Sequence, residues 1–303
     1  MTADKGWRYG LSTLWMPGVS LEEAIDLVRE AGFQVFEVVT GGFDGVVGSP
    51  AVDSPGVWPR ALDSVAVDRL RKRLAVFDEV VVHAGHLDVN IASDNPGIRE
   101  ESVQQYLQTF DLGVALGARR ITFHPGFPSR INSHPDRVIA RCVEFGRLVA
   151  RRAADQGVLC GYENVGTIPG TSMGGLTQDQ LLVVLEAVGS SVFGLHFDVG
   201  WAVRTGGILS GGKATETVLE SWLQRFKGRI VSVHLHGVLA TTPFGVLHHI
   251  PVHLDNVVDY TALMRMLAEA APGCPIVFEP LARHAREAIA LSQKDLAFLS
   301  SIS

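Results

Sequence analysis

Charge is scarce in this 303-residue chain. Asp, Glu, Lys and Arg make up only 19% of it, too little for a disordered polyelectrolyte, while hydrophobic residues at 47% suffice for a large core. A basic stripe is lacking as well. The net charge of -6 argues against a broad nucleic-acid footprint, which needs cations to replace the counterions of the phosphate backbone. Cysteine is rare: Cys142, Cys160 and Cys274 are odd in number and far apart. They form neither a disulfide framework nor a zinc-ligand spacing, and read as buried, reduced thiols of a cytoplasmic protein. No run approaches the ~18 apolar residues of a membrane span, and Met1–Tyr9 carries charges where a signal peptide would have an apolar segment. A Gly-rich phosphate fingerprint after the first strand is also missing, and "TGGILSGGK" lacks the ending of a phosphate-binding loop and reads as a flexible connection.

What is present is alternation. Short β-rich runs fall at Tyr9–Leu14, Val35–Val39, Val80–His83, Arg120–His124, Val158–Glu163, Phe193–Asp198, Ile230–His234 and Pro275–Glu279. Helical patterns separate them: a helix capped by Ser20 and ended by Gly32, then Asp63–Phe77, Ile98–Leu116, Pro135–Gln156, Thr177–Val188, Thr215–Phe226, Tyr260–Ala271 and Ala285–Leu299. Eight strand–helix units whose strands are apolar on both faces predict an α/β fold, a (β/α)8 TIM barrel, as one domain over residues 1–303. A doubly wound open sheet is the alternative.

The ionisable residues fall in a pattern. Glu37, His83, His124, Glu163, Asp198, His234 and Glu279 each stand at or beside the C-terminal end of a predicted strand, and in a TIM barrel those ends converge on one mouth, where active sites lie. Carboxylates and imidazoles packed together without a cation would strand buried charge at several kcal/mol each. The set therefore points to a divalent metal ion, with Mn, Zn, Co or Mg suited to its oxygen and nitrogen donors.

These residues, with the segments "VVHAGHLDVNIASDNPGIREES", "LGARRITFHPG", "CGYENVG", "GLHFDVGWA", "VSVHLHG" and "IVFEP" in that order, resemble the xylose isomerase-like TIM barrels, which include endonuclease IV and the sugar isomerases and epimerases. The resemblance covers essentially the whole chain. It implies a metal site of Glu163, Asp198, His234 and Glu279, with Glu163 and Glu279 as the acid/base pair. It further implies that His83 and His124 either contact substrate or hold a second metal bridged by Glu163. The chain also departs from the family. Trp201 in "DVGW" stands where endonuclease IV and many ketose epimerases have a histidine; the endonuclease's Asp-x-His pair aligns with Val246 and His248; and "LHGVLATTP" lacks the arginine that epimerases place after the metal-binding histidine. Cleavage of DNA by three metals is therefore not expected, nor is a standard free ketohexose as substrate.

The expected reaction is a metal-dependent isomerisation or epimerisation of a small, carbohydrate-like keto compound. The alternative is hydrolysis or lysis on the same site, as a phosphoesterase of the endonuclease IV type or a dehydratase of the inosose type. Nucleic acid and membrane are not expected partners, and homo-oligomerisation is left open. Expected substrate contacts are Trp15, Glu37, His86, Trp201, His236 and His248, with His249 and His253 as alternatives to His248 in one loop. His196 reads as a barrel-interior histidine, His134 as a helix-entry residue and His284 as a solvent-facing helix residue. The Gly-, Pro- and Asp-rich stretch from Thr40 to Arg60 reads as a lid over the mouth.

Overall fold

The computed structural model describes residues 6–41, 55–129, 134–166, 175–209, 215–242, 245–254 and 257–302. Eight parallel strands close a barrel: β1 (Arg8–Ser12), β2 (Val35–Val39), β3 (Glu79–His83), β4 (Arg120–Phe123), β5 (Leu159–Glu163), β6 (Phe193–Asp198), β7 (Ile230–Leu235) and β10 (Pro275–Phe278). Their order around the barrel is β1-β10-β7-β6-β5-β4-β3-β2. An antiparallel hairpin, β8 (Gly237–Thr242) and β9 (Gly245–Ile250), rises from the end of β7. The outer ring comprises α1 (Leu21–Glu30), α2 (Ser64–Leu74), α3 (Pro96–Leu116), α4 (Pro135–Gln156), α5 (Gln178–Val188), α6 (Val199–Leu209), α7 (Thr215–Arg225), α8 (Tyr260–Ala270) and α9 (Ala285–Ile302).

Local chemistry explains most boundaries. Ser20 and Glu23 form a reciprocal capping box at α1, as do Thr177 and Gln180 at α5. Pro96 and Pro135 occupy first-turn positions, where a missing N–H costs nothing. The first strand stops at Ser12, short of the expected Leu14, because the Ser12 hydroxyl accepts from the Leu14 amide (3.3 Å) and turns the chain into a 3-10 turn, Thr13–Trp15. Between sheet and helices, Tyr106, Phe123, Phe145, Tyr162 and Phe193 make a continuous buried aromatic layer. Each such ring stabilises the fold by roughly 1.5–3 kcal/mol.

Two expected loops are ordered instead. Of "TGGILSGGK", residues 205–209 belong to α6, and 210–213 lie outside the described residues. Its Gly206 is no helix breaker here: a Cβ at that position would lie 2.2 Å from Val218 Cγ1, so the glycine lets α6 pack closely on α7. The stretch after His234 forms the β8–β9 hairpin, which places His248 and His249 on a strand. The expected lid lies mostly at 42–54, outside the described residues.

Side-chain alternation sets the barrel interior in layers. At the base, Glu79 is buried between Arg8 and Arg120. Above it Val35, Val81 and Val277 form a small apolar cluster of their own. One step further along each strand come the ionisable residues.

Candidate metal centre

His234 is the pivot. Its Nε2 lies 3.1 and 3.0 Å from the two carboxylate oxygens of Glu37, so Nε2 carries the proton and donates it to Glu37. The opposite nitrogen, Nδ1, faces three carboxylates: Glu279 Oε2 at 3.3 Å, Glu163 Oε1 at 3.5 Å and Asp198 Oδ2 at 3.8 Å. That nitrogen is buried and makes no hydrogen bond among the described residues. A nitrogen lone pair and three carboxylate oxygens aimed at one point are the donor set of a divalent ion. Glu37 has no exposed surface and meets His234 Nε2 with both carboxylate oxygens. A carboxylate bonded to the far nitrogen is the arrangement that orients a metal-binding histidine from its outer shell.

Asp198 is held from several directions. Asn164 accepts the Asp198 amide (2.7 Å) and donates to its carbonyl (2.8 Å), while the Trp201 amide donates to Asp198 Oδ1 (2.6 Å). The second oxygen, Oδ2, lies 3.1 Å from His236 Nε2. The backbone N–H of His249 donates to His236 Nδ1 (2.9 Å), and an amide cannot reverse its role, so His236 carries its proton on Nε2 and gives it to Asp198. His236 is therefore a brace for Asp198. Gly200 makes room for it: a Cβ there would sit 1.9 Å from His236 Cε1.

The hairpin delivers His249 in a strained conformation, with φ at 62°. Its carbonyl accepts from Leu281 (2.6 Å), and its ring packs on Trp15 (4.6 Å) and His236 (4.1 Å). Its Nδ1 lies 3.2 Å from the Glu279 carbonyl and 3.6 Å from Glu279 Oε2. Among the alternatives His248, His249 and His253, it is His249 that faces the centre. His253 is pinned to Asp295 on α9 (2.5 Å), and the His248 side chain lies outside the described structure.

On the other flank, His83 Nε2 (3.0 Å) and His124 Nε2 (2.7 Å) converge on Glu163 Oε2. His83 Nδ1 donates to the Ala84 carbonyl (2.9 Å). His86 stacks on His124 at 4.3 Å, and the three rings form a cluster able to hold an ion. His196 is inside the barrel as expected, bonded through Nδ1 to Thr122 (2.9 Å) and packed edge-on to His234 (3.9 Å).

The field of the protein separates the carboxyls. Burial presses Glu163 and Glu279 upward, but His124, His234 and His83 outweigh it at Glu163, which falls well below the ordinary carboxyl range. At Glu279 burial prevails, and the carboxylates of Glu37, Glu163 and Asp198 oppose the help of His234, so the group rises to about 7. His234 would be neutralised by burial, yet Glu279 and Glu37 hold it well above the usual histidine range. At His86 burial and the neighbouring imidazoles both favour the neutral ring. Two carboxyls on one centre with opposite shifts are suited to opposite halves of a proton exchange.

The quartet expected from the sequence is thus brought together. Trp15 and Trp201 border it, Trp15 against His249 and Trp201 at the first turn of α6, with the Arg204 guanidinium 5.1 Å from its ring. Asn164 was passed over, although its place directly after Glu163 was a usable signal.

A family model described as xylose isomerase-like TIM barrel matches residues 25–302. An uncharacterized protein of Methanocaldococcus jannaschii is 25% identical over 200 residues, 66% of this chain and 62% of its own length, so the chain spans less than two thirds of that relative. A second from the same organism is 28% identical over 119 residues, 39% of each chain. Solved structures of similar fold include a D-tagatose 3-epimerase-like protein (TM-score 0.72, 19% identity, 97% of this chain and 98% of the other). An L-ribulose 3-epimerase (0.70, 19%, 98% and 94%) and the IolI protein with a zinc atom (0.72, 16%, 97% and 98%) also match. At these identities the likeness is one of fold.

Proposed function

Since the chain belongs to the xylose isomerase-like TIM barrel family, we propose that it is a divalent-metal-dependent isomerase or epimerase acting on a sugar or polyol-like keto compound. The observation that carries this reading is the buried His234 Nδ1, unbonded among the described residues and facing three carboxylates at 3.3, 3.5 and 3.8 Å. Glu163, Asp198, His234 and Glu279 would hold the ion. Bound there, the ion would supply Lewis-acid stabilisation of the negative charge that develops beside a deprotonated carbon. Glu279 takes the proton from the substrate carbon, and Glu163 serves the opposite side of the exchange. Glu37 and His236 hold His234 and Asp198 in place. The likeness to a D-tagatose 3-epimerase-like protein, to L-ribulose 3-epimerase and to the IolI protein with its zinc atom supports both the reaction class and the metal.

Elimination of water on the same site is a second reading. It is favoured by the convergence of His83 and His124 on one oxygen of Glu163, which builds a proton-donating wall beside the centre.

The test is Glu279→Gln assayed at saturating metal. The amide keeps an oxygen ligand but cannot accept a proton, so turnover should fall on the order of 10²–10⁴-fold. Exchange of a substrate C–H with solvent deuterium should fall in parallel. Full rescue by excess metal would reduce Glu279 to a ligand and leave Glu163 as the base.

A further inference from the structure

Beside the metal centre a crevice opens between the chain that follows β2 and the middle of α3. Trp58, Pro59, Leu87 and Val89 form its apolar walls, and His86 closes its inner end. Trp58 and Leu87 are 51% and 45% exposed, and both line this one crevice. The polar side chains around it are engaged with one another. Arg60 donates to Gln108 (2.8 Å) and pairs with Glu101 (2.8 Å), and Gln105 donates to the same Glu101 (3.1 Å). The Thr40 and Thr109 hydroxyls bond each other (2.9 Å), and the Tyr106 hydroxyl donates to the His124 carbonyl (3.4 Å). A polyol chain entering here would give up its water for apolar side chains and for polar groups several of which are bonded to one another. An apolar group would give up nothing.

The crevice and the centre share a wall. The ring of His86 that lines it stacks at 4.3 Å on His124, whose Nε2 reaches Glu163 at 2.7 Å. We propose that this crevice is a specificity site for an apolar substituent, aryl or branched alkyl, so that the keto sugar or polyol turned over at the metal centre carries such a group. The substrate identification rests on the isomerase reading above. The binding preference does not.

Phenyl β-D-glucopyranoside and methyl β-D-glucopyranoside share a sugar and differ only in the apolar group. Titration of each into the metal-replete protein, followed by calorimetry and tryptophan fluorescence, should show the phenyl compound binding on the order of tenfold tighter, the preference that partial burial of one ring supports. Leu87→Ser combined with Trp58→Ala should bring the two within about twofold. Both side chains are exposed, so the fold should be retained, and a thermal melt checks this. Equal affinities in the natural chain, or a phenyl preference that survives both substitutions, would overturn the proposal. The readout needs no turnover: a protein inactive on every keto sugar that still prefers the phenyl glycoside would sink the isomerase reading and leave the crevice standing.

Discussion

Glu37→Gln isolates what an orienting carboxylate contributes to a metal centre. The side chain has no exposed surface and touches the centre through His234 Nε2 at 3.0 and 3.1 Å. Glutamine can still accept that N–H, so the ring keeps its place while the charge that makes Nδ1 a better donor is removed. Loss of such a partner typically weakens metal binding 10–100-fold. At an ion concentration of about 100 times the natural Kd, the ion stabilises the folded chain by about 2.7 kcal/mol; a roughly 30-fold weaker variant gains only about 0.9 kcal/mol. The metal-induced rise in Tm should therefore shrink to about a third. Chelator competition should return the same 30-fold directly, and kcat at saturating metal should be nearly unchanged, because an orienting partner acts through His234 alone. Glu37→Ala goes further: it leaves the buried Nε2–H of His234 without its acceptor, at about 1–3 kcal/mol of stability. A Glu37→Gln protein that binds metal like the natural chain would refute the orienting role. One with natural affinity but no turnover would move Glu37 into the chemistry.

Elemental analysis after mild dialysis should find about one divalent ion per chain, and activity that ignores chelators would remove the centre from the mechanism. Duplex DNA with an abasic site should be incised marginally or not at all, since Trp201 stands where the endonuclease has a metal-binding histidine; robust metal-dependent incision would reassign the chain. Gly200→Ala places a methyl 1.9 Å from His236 Cε1, so it should cost about 1–3 kcal/mol of stability. It should also weaken metal binding by way of Asp198, whereas unchanged metal affinity would show that His236 does not brace that carboxylate.

Much of the site could be read in advance because strand ends are legible. A carboxylate or imidazole at the end of each apolar run predicts a shared mouth once the barrel is inferred, and Glu163, Asp198, His234 and Glu279 meet there. The hairpin was missed because its residues, "GVLATTPFGVLHHI", offer little alternation and no tight-turn dipeptide. Its register is set by what it sits on. His249 takes a φ of 62° because the His236 acceptor, the Leu281 donor, Trp15 and Glu279 surround it together. The α6 segment was misread for a related reason, since a glycine that permits close helix packing looks the same in sequence as one that ends a helix.

By itself, the sequence determined the strand–helix alternation, the barrel and the residue types at its mouth, because these depend on periodicity and on the order of residues along the chain. Tertiary structure decided the roles within that mouth. Which nitrogen of His234 faces the carboxylates, why His236 braces Asp198, and how Glu37 meets His234 all depend on hydrogen-bond partners tens to nearly two hundred residues away. A histidine's tautomer is fixed by the partner it meets, and only the folded chain brings the two together.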